Sequence, residues 1–203
     1  RVLFLALILS ACAAWAEGPM VGIYTGSGAD PYLRAAAGRM FRWMGCRTVG
    51  IAPADINAGD FRGIDIIYFA GGSTGPVRRD ISETGRENLR AFIRGGRGYI
   101  GTCAGALMAC DRNVWAGHDD NYGLFGIAPV TGIGPVQEQD GGESMRMMEL
   151  SIGPEWNSVG REGYGVDPAV PAYVLSINSP WFEIADSGGV TVVTRYSGCG
   201  KPA

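Results

Sequence analysis

Histidine is almost absent from this chain: there is one in 203 residues, His118. Neither His-x-x-x-His nor Cys-x-x-Cys occurs, so the spacings that hold zinc are missing and no metal is expected. Cysteine is sparse as well. The five residues Cys12, Cys46, Cys103, Cys110 and Cys199 show no paired spacing and define no disulfide framework, although a bridge at Cys46 or Cys199 stays open. Basic residues form no stripe and the formal net charge is -3. That argues against nucleic acid as a partner, because little is available to neutralise phosphates. The apolar run at residues 2–9 is too short to span a bilayer.

Glycine is in excess, at 33 residues, scattered without a period, which implies many tight turns and no repeat. Hydrophobic residues at 46% and charged ones at 18% are ordinary for a globular α/β protein. The length suits one domain with a full core.

Arg1, the apolar run V-L-F-L-A-L-I-L and the small residues ending Ala14-Trp15-Ala16 have the anatomy of a secretory signal. The expected organisation is therefore a partial signal peptide over 1–16 and one α/β domain over 17–203. The expected location is periplasmic or extracellular. A second reading takes Leu9-Ser10-Ala11-Cys12 as a lipobox, with membrane attachment only through an acylated Cys12.

Strands are expected at residues 20–25, 47–52 and 64–70, the first a continuous apolar run of the kind buried on both faces. A helix from Asp30-Pro31 to about Met44 separates the first two. Asp30 is its N-cap, and Leu33, Ala36, Ala37, Met40, Phe41 and Met44 form its apolar stripe. Pro53-Ala54-Asp55 reads as a turn. After a loop beyond Gly71-Gly72-Ser73, a helix is expected with Thr84 and Glu87 as a capping box and Leu89, Phe92 and Ile93 inward. This alternation implies a parallel sheet with right-handed crossovers and ligands at the carboxyl ends of its strands. Further strands at 124–136, 145–152, 173–178 and 190–196 are expected as antiparallel additions.

Residues 97–110, R-G-Y-I-G-T-C-A-G-A-L-M-A-C, carry the chemistry. They read as a strand, a tight turn on Gly101-Thr102-Cys103-Ala104-Gly105 and a small-residue helix, which is a nucleophile elbow with cysteine at its tip. The turn lifts the Cys103 sulfur clear of the sheet, and the helix N-terminus behind it favours thiolate. Carbonyl chemistry at a thiol needs oxyanion donors, a base and a pocket. The Ala104 N–H follows the nucleophile, and the Gly72 or Ser73 N–H lies in the glycine turn of the neighbouring strand. Arg78 and Arg79 could hold a substrate carboxylate, and Asn178 with Trp181 could form a polar and aromatic pocket wall. Cys110 reads as core, farther along the helix.

The segments Y-F-A-G-G-S, R-G-G-R-G-Y-I and G-T-C-A-G-A, in that order, resemble the class I glutamine amidotransferase-like superfamily, and within it the biotin-protein ligase N-terminal-domain type. The resemblance covers residues 20–196 and is strongest over 64–110. It implies a flavodoxin-like three-layer sandwich, Cys103 as nucleophile, and Gly72 and Ala104 around the oxyanion; no cofactor is expected. It also implies a strand near the C-terminus bearing His and, two residues later, Glu. No such pair occurs here, which leads to the expectation of a chain truncated at both ends. Two residues remain as acid–base candidates. One is Asp30, since a related branch pairs its cysteine with an acid near the first strand. The other is His118, in a polar loop. The expected function is hydrolysis or acyl transfer on a small amide or peptide-like substrate. The rivals are a non-catalytic ligand-binding or interaction domain that keeps the elbow, and a redox-sensing thiol.

Overall fold

The apolar run after Pro19 becomes strand β1, Met20–Tyr24, and its burial on both faces places it inside a sheet. The computed structural model describes residues 18–136, 145–152, 172–177, 179–184, 189–192 and 194–197. They form two compact units, one comprising described residues up to Ala109 together with Tyr122–Ile127, the other Cys110–Asn121 with those from Ala128 onward.

The first unit contains a four-stranded parallel sheet in the order β2-β1-β3-β4, with β2 Arg47–Ile51, β3 Ile66–Phe69 and β4 Gly98–Gly101. Helix α1, Pro31–Trp43, connects β1 to β2; α2, Pro53–Ala58, leads to β3; α3, Thr74–Asp80, and α4, Glu83–Arg94, lead to β4. The chain steps from β1 out to β2 and then back across β1 to β3. Right-handed crossovers therefore put α1 on one face and α2 and α4 on the other. This is the flavodoxin-like three-layer arrangement expected from the sequence.

Aromatic stacking fills the core. Phe69 lies between Tyr24 and Tyr99, at centroid distances of 4.5 and 5.6 Å, and meets the edge of Phe125 at 5.0 Å. Each such pair contributes about 0.5–1.5 kcal/mol beyond the area it buries. Phe125 reaches this core because its N–H donates to Met108 O at 2.7 Å, and Arg90 holds Phe125 O at 2.7 Å.

Several local expectations are corrected. Residues 53–58 are a helix and not a turn, because Asp55 folds back to accept from Ala52 N at 2.9 Å and Pro53 suits a first helical position. Residues 74–80 are also helical. The N-cap of α4 is Ser82, whose hydroxyl accepts from Gly85 N at 3.1 Å, so Thr84 lies inside the helix. Asp30 does cap α1, accepting from Tyr32 N and Leu33 N at 2.8 and 2.9 Å. The stripe of α1, however, is only partly covered: Ala37 and Phe41 are buried, while Leu33, Met40 and Met44 stay exposed. The sheet beneath ends at β2, an edge strand with little to cover them.

In the second unit the later strands form sheets of their own. Strands β5 Cys110–Trp115, β6 His118–Asp119, β7 Ala128–Gly134 and β10 Trp181–Glu183 make a mixed sheet ordered β10-β7-β5-β6, with β5 and β7 parallel. Strands β8 Met145–Ile152, β9 Ala172–Ile177 and β11 Thr194–Ser197 make an antiparallel sheet ordered β11-β8-β9.

Candidate functional site

The carboxyl ends of β1, β3 and β4 lie side by side, and three turns meet there. After β4 the chain passes Thr102 and Cys103 into helix α5, Ala104–Ala109. Cys103 sits at φ +51°, a left-handed conformation that a side-chain-bearing residue rarely adopts. Its surroundings hold it there. Thr102 N donates to Phe69 O at 3.1 Å, Thr102 Oγ1 and Tyr68 Oη share a hydrogen bond of 2.8 Å, and Leu107 N donates to Cys103 O at 3.0 Å. Tyr99 Oη donates to Gly105 O at 2.7 Å. Gly105 must be glycine, because any Cβ would run into the carbonyl of Phe69. Cys103 thus lies between β4 and α5 at a positive φ, with a half-buried free thiol. The helix behind it is shorter than the sequence suggests. It ends at Ala109, and Cys110 opens β5 as a fully buried residue of the second unit.

The glycine turn after β3 packs against this elbow. A methyl group on Gly71 would stand 3.1 Å from Cys103 Cβ and 2.9 Å from Leu33 Cδ1. On its other side the turn pairs with the loop after β1: Asp30 N donates to Gly71 O at 2.9 Å, and Ser73 N donates to Gly28 O at 2.8 Å. In this pairing Ala29 and Gly72 face one another as the non-bonded residues of an antiparallel pair, so the Gly72 N–H turns away from the β1 loop. Gly72 has φ +144°. Neither Gly72 N–H nor Ala104 N–H meets an acceptor among the described residues, whereas Ser73 N–H is engaged.

A second hydrogen-bonded cluster fixes the β1 loop. Asp80, at the end of α3, accepts from Tyr24 Oη at 2.9 Å, Ser27 N at 2.7 Å and Ser27 Oγ at 2.6 Å. Burial pushes the Asp80 carboxyl up. The bonds from Ser27 and Tyr24, with the charge of Arg79, outweigh that and hold it below the ordinary range. Burial, reinforced by the bond to Asp80, pushes the Tyr24 phenol far above its usual value. Sequence reasoning missed this cluster, since Tyr24 and Asp80 stand 56 positions apart.

The other residues singled out from the sequence are dispersed. Arg78 is buried in α3 with its stem 3.3 Å from where a Gly123 side chain would begin, so it is no surface clamp. Ser73 is the N-cap of α3 without a side-chain capping bond. His118 lies exposed on β6 of the second unit, opposite Trp115, and its neighbour Asp119 accepts from Arg112 at 2.7 Å. Asn178, Cys12 and Cys199 lie outside the described residues, as do positions 1–17. Cys46 is a free thiol. Among the described residues no group of histidine, cysteine or carboxylate side chains is placed to hold a metal ion.

The first unit is a parallel α/β sandwich with Cys103 at a positive φ just beyond the carboxyl end of β4. Among solved structures the chain is similar to a Thermoplasma acidophilum protein provisionally described as one component of a GMP synthase. The TM-score is 0.52 at 14% identity, over 89% of this chain and 75% of that one. Identity this low speaks for the fold alone. No protein-family model and no curated protein matches the chain.

Proposed function

We propose that the protein is a cysteine-nucleophile hydrolase or acyl transferase acting on a small amide or peptide-like substrate. The observation that carries this reading is the packing of the Cys103 elbow, held at φ +51°, against the Gly71-Gly72 turn. In the proposed reaction Cys103 Sγ attacks the substrate carbonyl, the C–S bond forms, and the C–N bond breaks as the amine leaves with the thiol proton. Water then cleaves the thioester, or an acceptor amine takes the acyl group. Two backbone donors, Gly72 N–H and Ala104 N–H, stabilise the oxyanion. Of the two acid–base candidates we assign Asp30. Its N–H is bonded to Gly71, which also touches Cys103, and only its Oδ1 is engaged in capping. His118 belongs to the other unit.

We extend the proposal to the biotin-protein ligase N-terminal-domain type, on the ordered segments Y-F-A-G-G-S and G-T-C-A-G-A. We extend it also to export, on the apolar run and small residues over 1–16. On this reading residues 17–203 act as one functional domain, and membrane attachment arises only through Cys12.

A binding-module reading has one observation in its favour: no histidine belongs to the unit that holds Cys103. One experiment separates the two. The protein is incubated with primary amides, glutamine among them, and with short peptides, then quenched in acid for intact-mass analysis. An acyl adduct on the Cys103 peptide, lost in Cys103→Ser and reduced in Asp30→Asn, is the expected result. Turnover that survives Cys103→Ser would sink the proposal, and saturable binding without any adduct would establish the binding module instead.

A further inference from the structure

Helix α1 and the edge strand β2 leave an open groove of about 540 Å³ between them. It lies apart from the Cys103 elbow and is lined by residues 23–50 of the first unit. Arg34, Arg39 and Arg42 reach it from α1, and Thr25 and Thr48 from the strand side. No carboxylate lines it, and none pairs with these arginines among the described residues. Arg34 Nη1 donates only to Thr25 O at 3.1 Å, and Arg42 Nη1 to Thr48 Oγ1 at 2.9 Å. Elsewhere in the unit the pattern is different: Arg62, Arg86, Arg90 and Arg97 all carry an acidic partner. Arg34 Nε is shut off from solvent without an acceptor, an unfavourable state for a polar group. A chain of net charge -3 thus concentrates uncompensated positive charge in one concave place.

The groove also has room. Gly38 in the middle of α1 and Gly50 inside β2 both line it, although glycine is disfavoured inside a helix or strand. A methyl group at Gly38 would meet nothing closer than 3.4 Å, so packing does not demand the glycine. Ile23 and Val49 supply apolar wall.

We propose that this groove binds an organic phosphate. The phosphate group is held by the guanidinium groups of Arg34 and Arg42 with the Thr48 hydroxyl, and a compact apolar or aromatic body lies over Ile23 and Val49. Guanidinium forks match phosphate oxygens in pairs. The volume falls in the small-ligand range of about 300–1,000 Å³, more than a bare phosphate fills.

The test is a titration of ¹⁵N-labelled protein with phenyl phosphate and, separately, inorganic phosphate, following the arginine Nε–H resonances. Saturable shifts confined to Arg34, Arg39 and Arg42 are expected, with phenyl phosphate binding about tenfold tighter through burial of its ring. Arg34→Gln and, independently, the more exposed Arg42→Gln weaken both probes. Val49→Ser keeps every arginine, removes exposed apolar wall and weakens phenyl phosphate alone. The proposal is overturned if all arginines shift in parallel without saturation, or if the two phosphates bind equally. Tighter binding of a tetraglutamate peptide would overturn it too, by making the face a dock for acidic protein segments.

Discussion

Gly71 and Cys103 are packed together although they belong to different turns: a methyl group on Gly71 would stand 3.1 Å from Cys103 Cβ and 3.8 Å from its sulfur. Pairing of Phe69 with Gly101 in the parallel sheet brings these turns side by side. Gly71→Ala therefore pushes on a residue whose backbone is fixed at φ +51°, and on half-exposed Leu33, which can move. The expected cost is about 1–2 kcal/mol, as for modest overpacking. Alkylation of Cys103 by iodoacetamide should slow while that of Cys46 stays constant. An unchanged Cys103 rate would show that the thiol is reached from elsewhere.

Gly72 and Gly45 make a controlled pair. Both have positive φ, +144° and +83°, but a methyl group at Gly72 overlaps the carbonyl oxygen of Gly28, whereas one at Gly45 meets nothing within 4 Å. Gly72→Ala should cost more than about 3 kcal/mol, because the β1 loop must move. Gly45→Ala should cost about 1–2 kcal/mol, the left-handed strain alone. Urea midpoints at constant slope measure both; equal losses would refute the assignment of the Gly72 cost to Gly28.

The central strands β1 and β3 were legible in the sequence because they are continuous apolar runs, as strands buried on both faces require. The tight turn was legible because Gly101 and Gly105 are required by close backbone approach, which sequence spacing records directly. Helices α2 and α3 were not. They are only six and seven residues long, too short to show a period, and are stabilised by Asp55 capping Ala52 and by packing of Ile56 and Val77. The end of α5 at Ala109 was equally hidden, since Leu107, Met108 and Cys110 suit a helix core as well as the start of β5. Nor could Arg78 be placed. An arginine beside a glycine turn looks like a surface group until the Gly123 segment is seen covering it.

Asp80 predicts an acid dependence. Its carboxylate is held below the usual range by bonds from Ser27 and Tyr24 despite burial. A carboxyl lowered on folding adds stability above its unfolded value of about 3.9, and that stability is lost as pH falls through the folded value. Asp80→Asn should therefore lower the urea midpoint at pH 7 and flatten its further fall below about pH 4. Asp65, Glu83 and Glu87 are lowered too, so the parent and variant curves must converge in acid without becoming flat. Parallel curves would mean that Asp80 is ionised equally in both states.

Cys103 and Cys110 should differ sharply in reactivity although seven residues separate them. Cys110 is fully buried at the start of β5, and burial pushes its thiol up to about 12. Even at pH 9 only about one part in a thousand is thiolate, the form that attacks an alkylating agent. Cys103 is half-buried at the tip of its turn. Brief iodoacetamide treatment at pH 8, followed by peptide mapping, should label Cys103 and leave Cys110 free, and the same treatment in denaturant should label both. Equal native labelling would mean that the strand bearing Cys110 opens on the timescale of the reaction, and protection of Cys103 alone would remove the thiol on which the proposed chemistry depends.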